Sequence, residues 1–184
     1  CFGSATQDIV IKSKAFKVLK NADDFATGQG LCLTLGSKID VEDIEFASGG
    51  GGTNAAAAFA LQGFKTAYCG AIGDDAAGRE IISELKDMKV DVGMVFVKKE
   101  KRTNCSVIIF NEGNDRTILA YRGASELLAE QDIPWQKLKA KWIYLAPLTG
   151  ILCDQTEKIV NFAFENKIKI AMNPSKQQLS LPES

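Results

Sequence analysis

The chain is 184 residues long and 46% hydrophobic, with 22 basic against 23 acidic side chains, a net charge of -1 and no histidine. This describes a globular domain large enough for a real core, without the charge that would recruit nucleic acid or an anionic membrane surface and without an apolar run near the roughly twenty residues of a membrane span. The lack of histidine excludes Ser–His and Cys–His nucleophile pairs and the usual metal ligand, so general-base work falls to a carboxylate.

The first eleven residues read as an apolar strand interrupted at Gly3-Ser4-Ala5-Thr6-Gln7 and resumed after Asp8. An aspartate at the mouth of a strand is either a turn cap or a carboxylate placed to accept hydrogen bonds from ligand hydroxyls. The chain opens at Cys1 inside this strand, so further sequence upstream is expected. From Lys14 to Phe46 the apolar residues alternate loosely with period two, broken at Asn21-Ala22-Asp23-Asp24 and Gly36-Ser37, which predicts short antiparallel strands in a small sheet beside the main one.

The stretch Ser48-Gly49-Gly50-Gly51-Gly52-Thr53-Asn54 runs straight into Ala55-Ala56-Ala57-Ala58-Phe59-Ala60-Leu61. The glycines let another molecule approach the backbone, and the alanines form a helix that Thr53 or Asn54 can cap. The unpaired N–H groups of its first turn are expected to face a polar ligand or anion. No lysine lies between Glu45 and Phe64, so this is not a nucleotide P-loop. Gly50, Gly52 and Ala55 partly imitate a dinucleotide fingerprint, but the acidic residues about twenty positions on, Asp74 and Asp75, sit in a Gly-Asp-Asp turn rather than at a strand end.

Next come a buried strand at Thr66–Gly73, a helix opened by Asp74-Asp75 with Ile81, Ile82, Leu85 and Met88 at helical spacing, and a strand at Val90–Val97. This order predicts an open, parallel α/β sheet. Thr103–Phe110 and Thr117–Tyr121 read as two strands joined by a turn at Asn111–Asp115, a second antiparallel excursion that pairs with the first to form a flap. Trp142–Leu145, a helix over Glu157–Asn166 and the strand Ile168–Met172 return to the core, and Asn173-Pro174-Ser175 lies at the sheet edge where such folds bind ligands. Cys1, Cys32, Cys69, Cys105 and Cys153 are widely spaced, which fits neither a disulfide framework nor a zinc site and points to a reducing cytoplasm.

The run Gly50-Gly51-Gly52-Thr53-Asn54-Ala55-Ala56, with Gly63 and Gly73 following, resembles the first signature of the ribokinase-like sugar kinases, also called the phosphofructokinase B family. Gly3-Ser4 with Asp8, Gly73-Asp74-Asp75 with Gly78, Arg102-Thr103, Arg122-Gly123-Ala124 and Asn173-Pro174 match in the same order over essentially the whole chain. The resemblance implies a ribokinase-like α/β fold, with a core of residues 1–8, 47–97 and 122–184 and a β lid of residues 9–46 and 98–121. It implies ATP-dependent, Mg2+-assisted phosphorylation of a hydroxymethyl group on a sugar, sugar acid or nucleoside, with no nucleic-acid or membrane partner and a homodimer formed through the lid.

By the same resemblance, Asp8, Gly50, Gly51, Gly52 and Asn54 hold the sugar hydroxyls; Asn104 is either a further pocket candidate or a residue that simply hydrogen-bonds at a strand edge. Arg122 is either a partner for an acidic or phosphorylated substrate or a solvated arginine, and Asn173 is a nucleotide-side candidate. The family's second motif, Asp-Thr-x-Gly-Ala-Gly-Asp, carries its catalytic aspartate and has no counterpart here. The chain is therefore expected to supply the acceptor-binding part of the site and no catalytic residue, and to have no turnover by itself. The alternative is a non-catalytic ligand-binding or dimerisation module of the same fold. Gly51 stands where ribokinase itself has lysine, so ribose does not follow as the substrate.

Overall fold

The computed structural model describes residues 1–21, 23–111 and 115–181. It separates into two compact units, Cys1–Gln7, Ser48–Cys105 and Tyr121–Ser184 in the first and Asp8–Ala47 with Ser106–Ala120 in the second. Lys98–Cys105, read from the sequence as lid, groups with the first unit.

The first unit is built on parallel strands. β5 (Ala67–Gly73) pairs with β6 (Asp91–Lys98), and β9 (Trp142–Leu145) pairs with β10 (Lys169–Met172). Phe2 bridges the two pairs through parallel contacts to Cys69 and Leu145, giving the spatial order β6-β5-Phe2-β9-β10. Alternation along β5 sends its side chains to opposite faces. Cys69 and Ala71 join Phe2, Ile143 and Leu145 in one core with Leu152, Cys153, Ile159 and Ala163 of α3 (Gly150–Asp154) and α4 (Thr156–Glu165). Tyr68 and Ile72 meet Ala56 of α1 (Gly51–Leu61) and Ile81 and Leu85 of α2 (Ala76–Asp87) on the other face. Each such Leu, Ile or Phe contributes about 1.5–3 kcal/mol of burial, so the two-sided sheet is the main source of stability.

The second unit holds β2 (Lys17–Lys20) and β3 (Gln29–Cys32), which pair antiparallel from Lys17↔Cys32 to Lys20↔Gln29. Most of a four-stranded sheet in the order β4-β1-β7-β8 also lies here, with β1 Thr6–Lys12, β4 Asp43–Gly49, β7 Asn104–Phe110 and β8 Arg116–Tyr121. Strands from both excursions thus share one sheet, as expected. Their alternation leaves many large apolar side chains open, although Phe16 and Ile109 are each 8% exposed. Leu19 is 54% exposed, Phe46 58% and Leu119 57%. The turn expected at Asn111–Asp115 falls largely on residues outside those described, as does Ala22 in the break before β3. Short 3-10 turns between Ala124 and Lys137, with α5 (Lys176–Leu179), were not legible as periodic segments. No helix among the described residues is long and apolar enough to cross a membrane.

Candidate functional site

In the first unit, the chain collects its candidate residues where the parallel strands end. The segment after Phe2 continues as Gly3-Ser4, β9 runs on into Ala146-Pro147, and β10 passes to Asn173, whose N–H donates to the Leu145 carbonyl at 2.9 Å. Helix α1 starts at this same edge, the place where open parallel sheets bind ligands.

The start of α1 differs from the sequence reading in a way that changes its chemistry. Its N-cap is Gly50, at φ 107° in the region that glycine tolerates, rather than Thr53 or Asn54. Capping is done from a distant segment by Ser4. The Gly51 N–H donates to Ser4 Oγ at 3.2 Å, and the Gly52 and Thr53 N–H groups donate to the Ser4 carbonyl at 3.1 and 3.4 Å. The Asn54 N–H closes onto the Gly50 carbonyl at 2.9 Å, and the Thr53 hydroxyl donates to the Gly49 carbonyl at 2.6 Å. All four N–H groups from Gly51 to Asn54 therefore have protein partners, and this helix end is not an open anion site.

The glycines also have a packing reason. A Cβ at Gly52 would lie 2.7 Å from Tyr68 Cε2 and 2.8 Å from the Gly3 carbonyl carbon. One at Gly51 would press on Ala146 Cβ at 3.0 Å. The close approach that glycine permits here is first of all that of one backbone to another.

Several of the predicted side chains are without protein partners among the described residues. The Asn54 side chain is exposed at the start of α1 and has no hydrogen-bond partner among the described residues. Asn104 is 8% exposed, and its Oδ1 accepts from the Gly123 N–H at 3.0 Å and the Ser125 N–H at 3.2 Å. Two donors require the oxygen there, so the Nδ2 amide is the end that points away, without a partner among the described residues and not sealed from solvent. Arg122, beside Gly123, is exposed and forms no ion pair among the described residues, and Asn173 is exposed at the end of β10. Asp8 belongs to the second unit, on β1, where it is half-buried and has no hydrogen-bond or ion-pair partner among the described residues.

Sequence reasoning missed the residues that hold these groups in place. Ser125, 4% exposed, donates its hydroxyl to the Ala71 carbonyl at 3.0 Å and accepts from the Ala5 N–H at 3.1 Å. It thereby joins the Asn104 turn to the segment carrying Ser4. Asp75 caps α2, with Oδ1 accepting from the Gly78 N–H at 2.9 Å and from the Thr103 hydroxyl at 2.7 Å, while Oδ2 accepts from the Thr103 N–H at 2.8 Å. The Gly73 N–H donates to the same Thr103 hydroxyl at 3.0 Å. Burial pushes the Asp75 carboxyl up, but the hydrogen bonds from Thr103 and Gly78 and the nearby Arg102 charge outweigh it and hold the group below its ordinary value. The sequence already opens this helix at Asp74-Asp75, as Asp75 at the N-cap bears out; its contact with Thr103, 28 residues away, has no local signal.

The described residues contain no group of three or more His, Cys, Asp or Glu placed to hold a metal ion. With the α1 N–H groups already paired, they do not fit a magnesium–triphosphate cradle.

A family model described as pfkB family carbohydrate kinase matches residues 9–182. The ribokinase of Schizosaccharomyces pombe is 27% identical over 183 residues, covering 94% of this chain and 52% of that protein. The fructokinase of Salmonella typhimurium is 26% identical over 125 residues, covering 67% of this chain and 40% of that protein. The structure of Arabidopsis thaliana ribokinase complexed with ribose and ATP superposes with a TM-score of 0.73 at 20% identity, over 93% of this chain and 51% of that one. The chain spans between 31% and 52% of the length of the curated relatives it matches.

Proposed function

The chain belongs to the pfkB family of carbohydrate kinases, and we propose that its 184 residues supply the acceptor-binding part of an enzyme that transfers a phosphoryl group from ATP to a hydroxymethyl group of a sugar, sugar acid or nucleoside. The observation that carries this reading lies in the first unit, where the Asn54 carboxamide and the Asn104 Nδ2 have no protein partners among the described residues; Asp8, on the second unit, is proposed as the carboxylate that accepts from the acceptor hydroxyls. A carboxylate accepting from adjacent hydroxyls, with amide donors to their oxygens, is how a polyol is recognised in preference to water. In this proposal Gly50, Gly51 and Gly52 shape the floor by letting the backbones meet, and their N–H groups stay with Ser4. Each charge-assisted hydrogen bond is worth about 1.5–3 kcal/mol, so Asp8→Asn is expected to weaken the acceptor by roughly 10- to 150-fold.

Arg122 supports an anionic acceptor, a sugar acid or sugar phosphate, because its guanidinium has no carboxylate partner among the described residues. Asn173 is proposed on the nucleotide side. ATP and Mg2+ are the donor and counter-ion that the family implies; the catalytic carboxylate is not assigned to any residue from 1 to 184. The second unit is proposed as a lid that excludes water during transfer and, through exposed side chains such as Ile44 and Phe46, as the contact between two copies. A cytoplasmic setting accords with five cysteines that stand far apart in sequence.

A non-catalytic ligand-binding or dimerisation module is the second reading, favoured by the lack of an Asp-Thr-x-Gly-Ala-Gly-Asp stretch within these residues. An acceptor panel of sugars, sugar acids, sugar phosphates and nucleosides, scored for binding to residues 1–184 and for ATP consumption by the intact protein in which these residues occur, separates the two. A kinase consumes ATP only with the acceptor it binds, whereas the module binds without consumption.

A further inference from the structure

Two backbone-directed clamps converge on Asn104. Its side chain is fixed by the Gly123 and Ser125 N–H groups on Oδ1, and the residue before it is fixed by Asp75, which takes both the N–H and the hydroxyl of Thr103. The Gly73 N–H on Thr103 Oγ1 ties the same point to the end of β5, and the Ala124 N–H on the Arg102 carbonyl at 2.8 Å ties it to the returning chain. We propose that Asp75 is a positioning residue for the acceptor: through Thr103 it sets the backbone from which Asn104 projects, and so the direction in which Nδ2 is presented to a substrate hydroxyl. The inference rests on the acceptor reading above and adds a residue that touches no substrate.

The carboxylate is suited to this because it accepts three hydrogen bonds at once, two through Oδ1 and one through Oδ2. Asparagine at position 75 can still cap α2 through its oxygen, since Asn and Asp are comparable N-caps. Its NH2 would face the Thr103 N–H donor to donor, so Thr103 must move while the helix stays capped. A merely structural Asp75 would alter melting and leave acceptor affinity alone.

The test uses the acceptor that the wild-type protein binds in the panel, titrated calorimetrically into wild type, Asp75→Asn, Asn104→Asp and the double variant, with thermal melting of each. Asn104→Asp keeps the oxygen that holds Gly123 and Ser125 and replaces the NH2 donor by a negatively charged acceptor. The expected result is a loss of affinity of about tenfold in Asn104→Asp, a loss of about five- to tenfold in Asp75→Asn, and a double variant within about twofold of Asn104→Asp alone, because residues acting through one contact are not additive. Thr103→Ser, which keeps the hydroxyl, is expected to bind like wild type, and Thr103→Val to behave like Asp75→Asn.

Affinity unchanged in Asp75→Asn while Asn104→Asp binds weakly would overturn the positioning role and leave the acceptor reading standing. Losses that multiply in the double variant would overturn it as well. An Asn104→Asp variant that binds like wild type would remove Asn104 from the site and the inference with it. A wild-type protein that binds no member of the panel would sink the acceptor reading and the inference together.

Discussion

Replacing Gly52 by alanine tests whether the glycine loop is shaped by packing. The added Cβ would sit 2.7 Å from Tyr68 Cε2 and 2.8 Å from the Gly3 carbonyl carbon, where ordinary contact begins at 3.4 Å. Tyr68 is fully buried and its hydroxyl donates to the Gly3 carbonyl at 3.0 Å, so the ring cannot swing aside without losing a buried hydrogen bond. Overpacking costs about 1–3 kcal/mol and the endangered hydrogen bond about 1 kcal/mol, against a gain of up to about 1 kcal/mol because alanine is the better helix former. The clash wins by about 1–3 kcal/mol, which for a chain of this size lowers the melting temperature by roughly 2–12 °C.

Circular dichroism melting of Gly52→Ala beside Gly63→Ala is the assay. Gly63 has open space around it but φ of +89°, so its alanine variant is strained by conformation alone, by about 1–2 kcal/mol. An unchanged or raised melting temperature in Gly52→Ala would show that the loop has room for a side chain, and the packing account of these glycines would be wrong.

Asp75 gives a pH signature. Its folded-state value lies below the ordinary 3.8, so the stability it contributes is present above about pH 4 and lost as the pH falls through the lowered folded value. The difference in urea-unfolding free energy between wild type and Asp75→Asn should therefore be flat from pH 8 to about pH 5 and close toward pH 3; a gap that widens on acidification would contradict the assignment. Burial pushes the Cys69 thiol up to about 12, and Cys153 is also fully buried, so an alkylating reagent at pH 7.5 should modify Cys32 in the native protein and reach Cys69 and Cys153 only after unfolding. Peptide mass mapping reads this, and Cys69 alkylated as fast as Cys32 would refute the burial. Sedimentation of the protein should show a dimer that Phe46→Glu converts to a monomer, since a charge on that exposed apolar strand opposes a self-contact; a dimer unaffected by the change would place the contact elsewhere.

The parallel core was legible because its strands and helices are long or strongly apolar: Trp142–Leu145 appears with its expected bounds, and Ile81 and Leu85 fall on the buried face of α2. The small sheet was legible as strands but not as a buried layer, since period two reports which residues share a face and not whether anything covers it. At the glycine loop, composition correctly indicated close approach and a helix start. It could not show that the approaching group is the chain itself, because Ser4 lies 47 residues from Gly51 in sequence. The same limit hid Ser125 and the Asp75–Thr103 contact: single polar residues carry no periodicity, and their partners are chosen by topology.

Whether residues 1–184 hold the acceptor side of a carbohydrate kinase site is decided by calorimetric titration of the purified chain with the acceptor panel. One polyol class is expected to bind without ATP and Asp8→Asn to weaken it at least about tenfold, with no ATP consumed by these residues alone. ATP turnover by the 184-residue chain, or a polyol bound equally well by Asp8→Asn, would contradict that expectation.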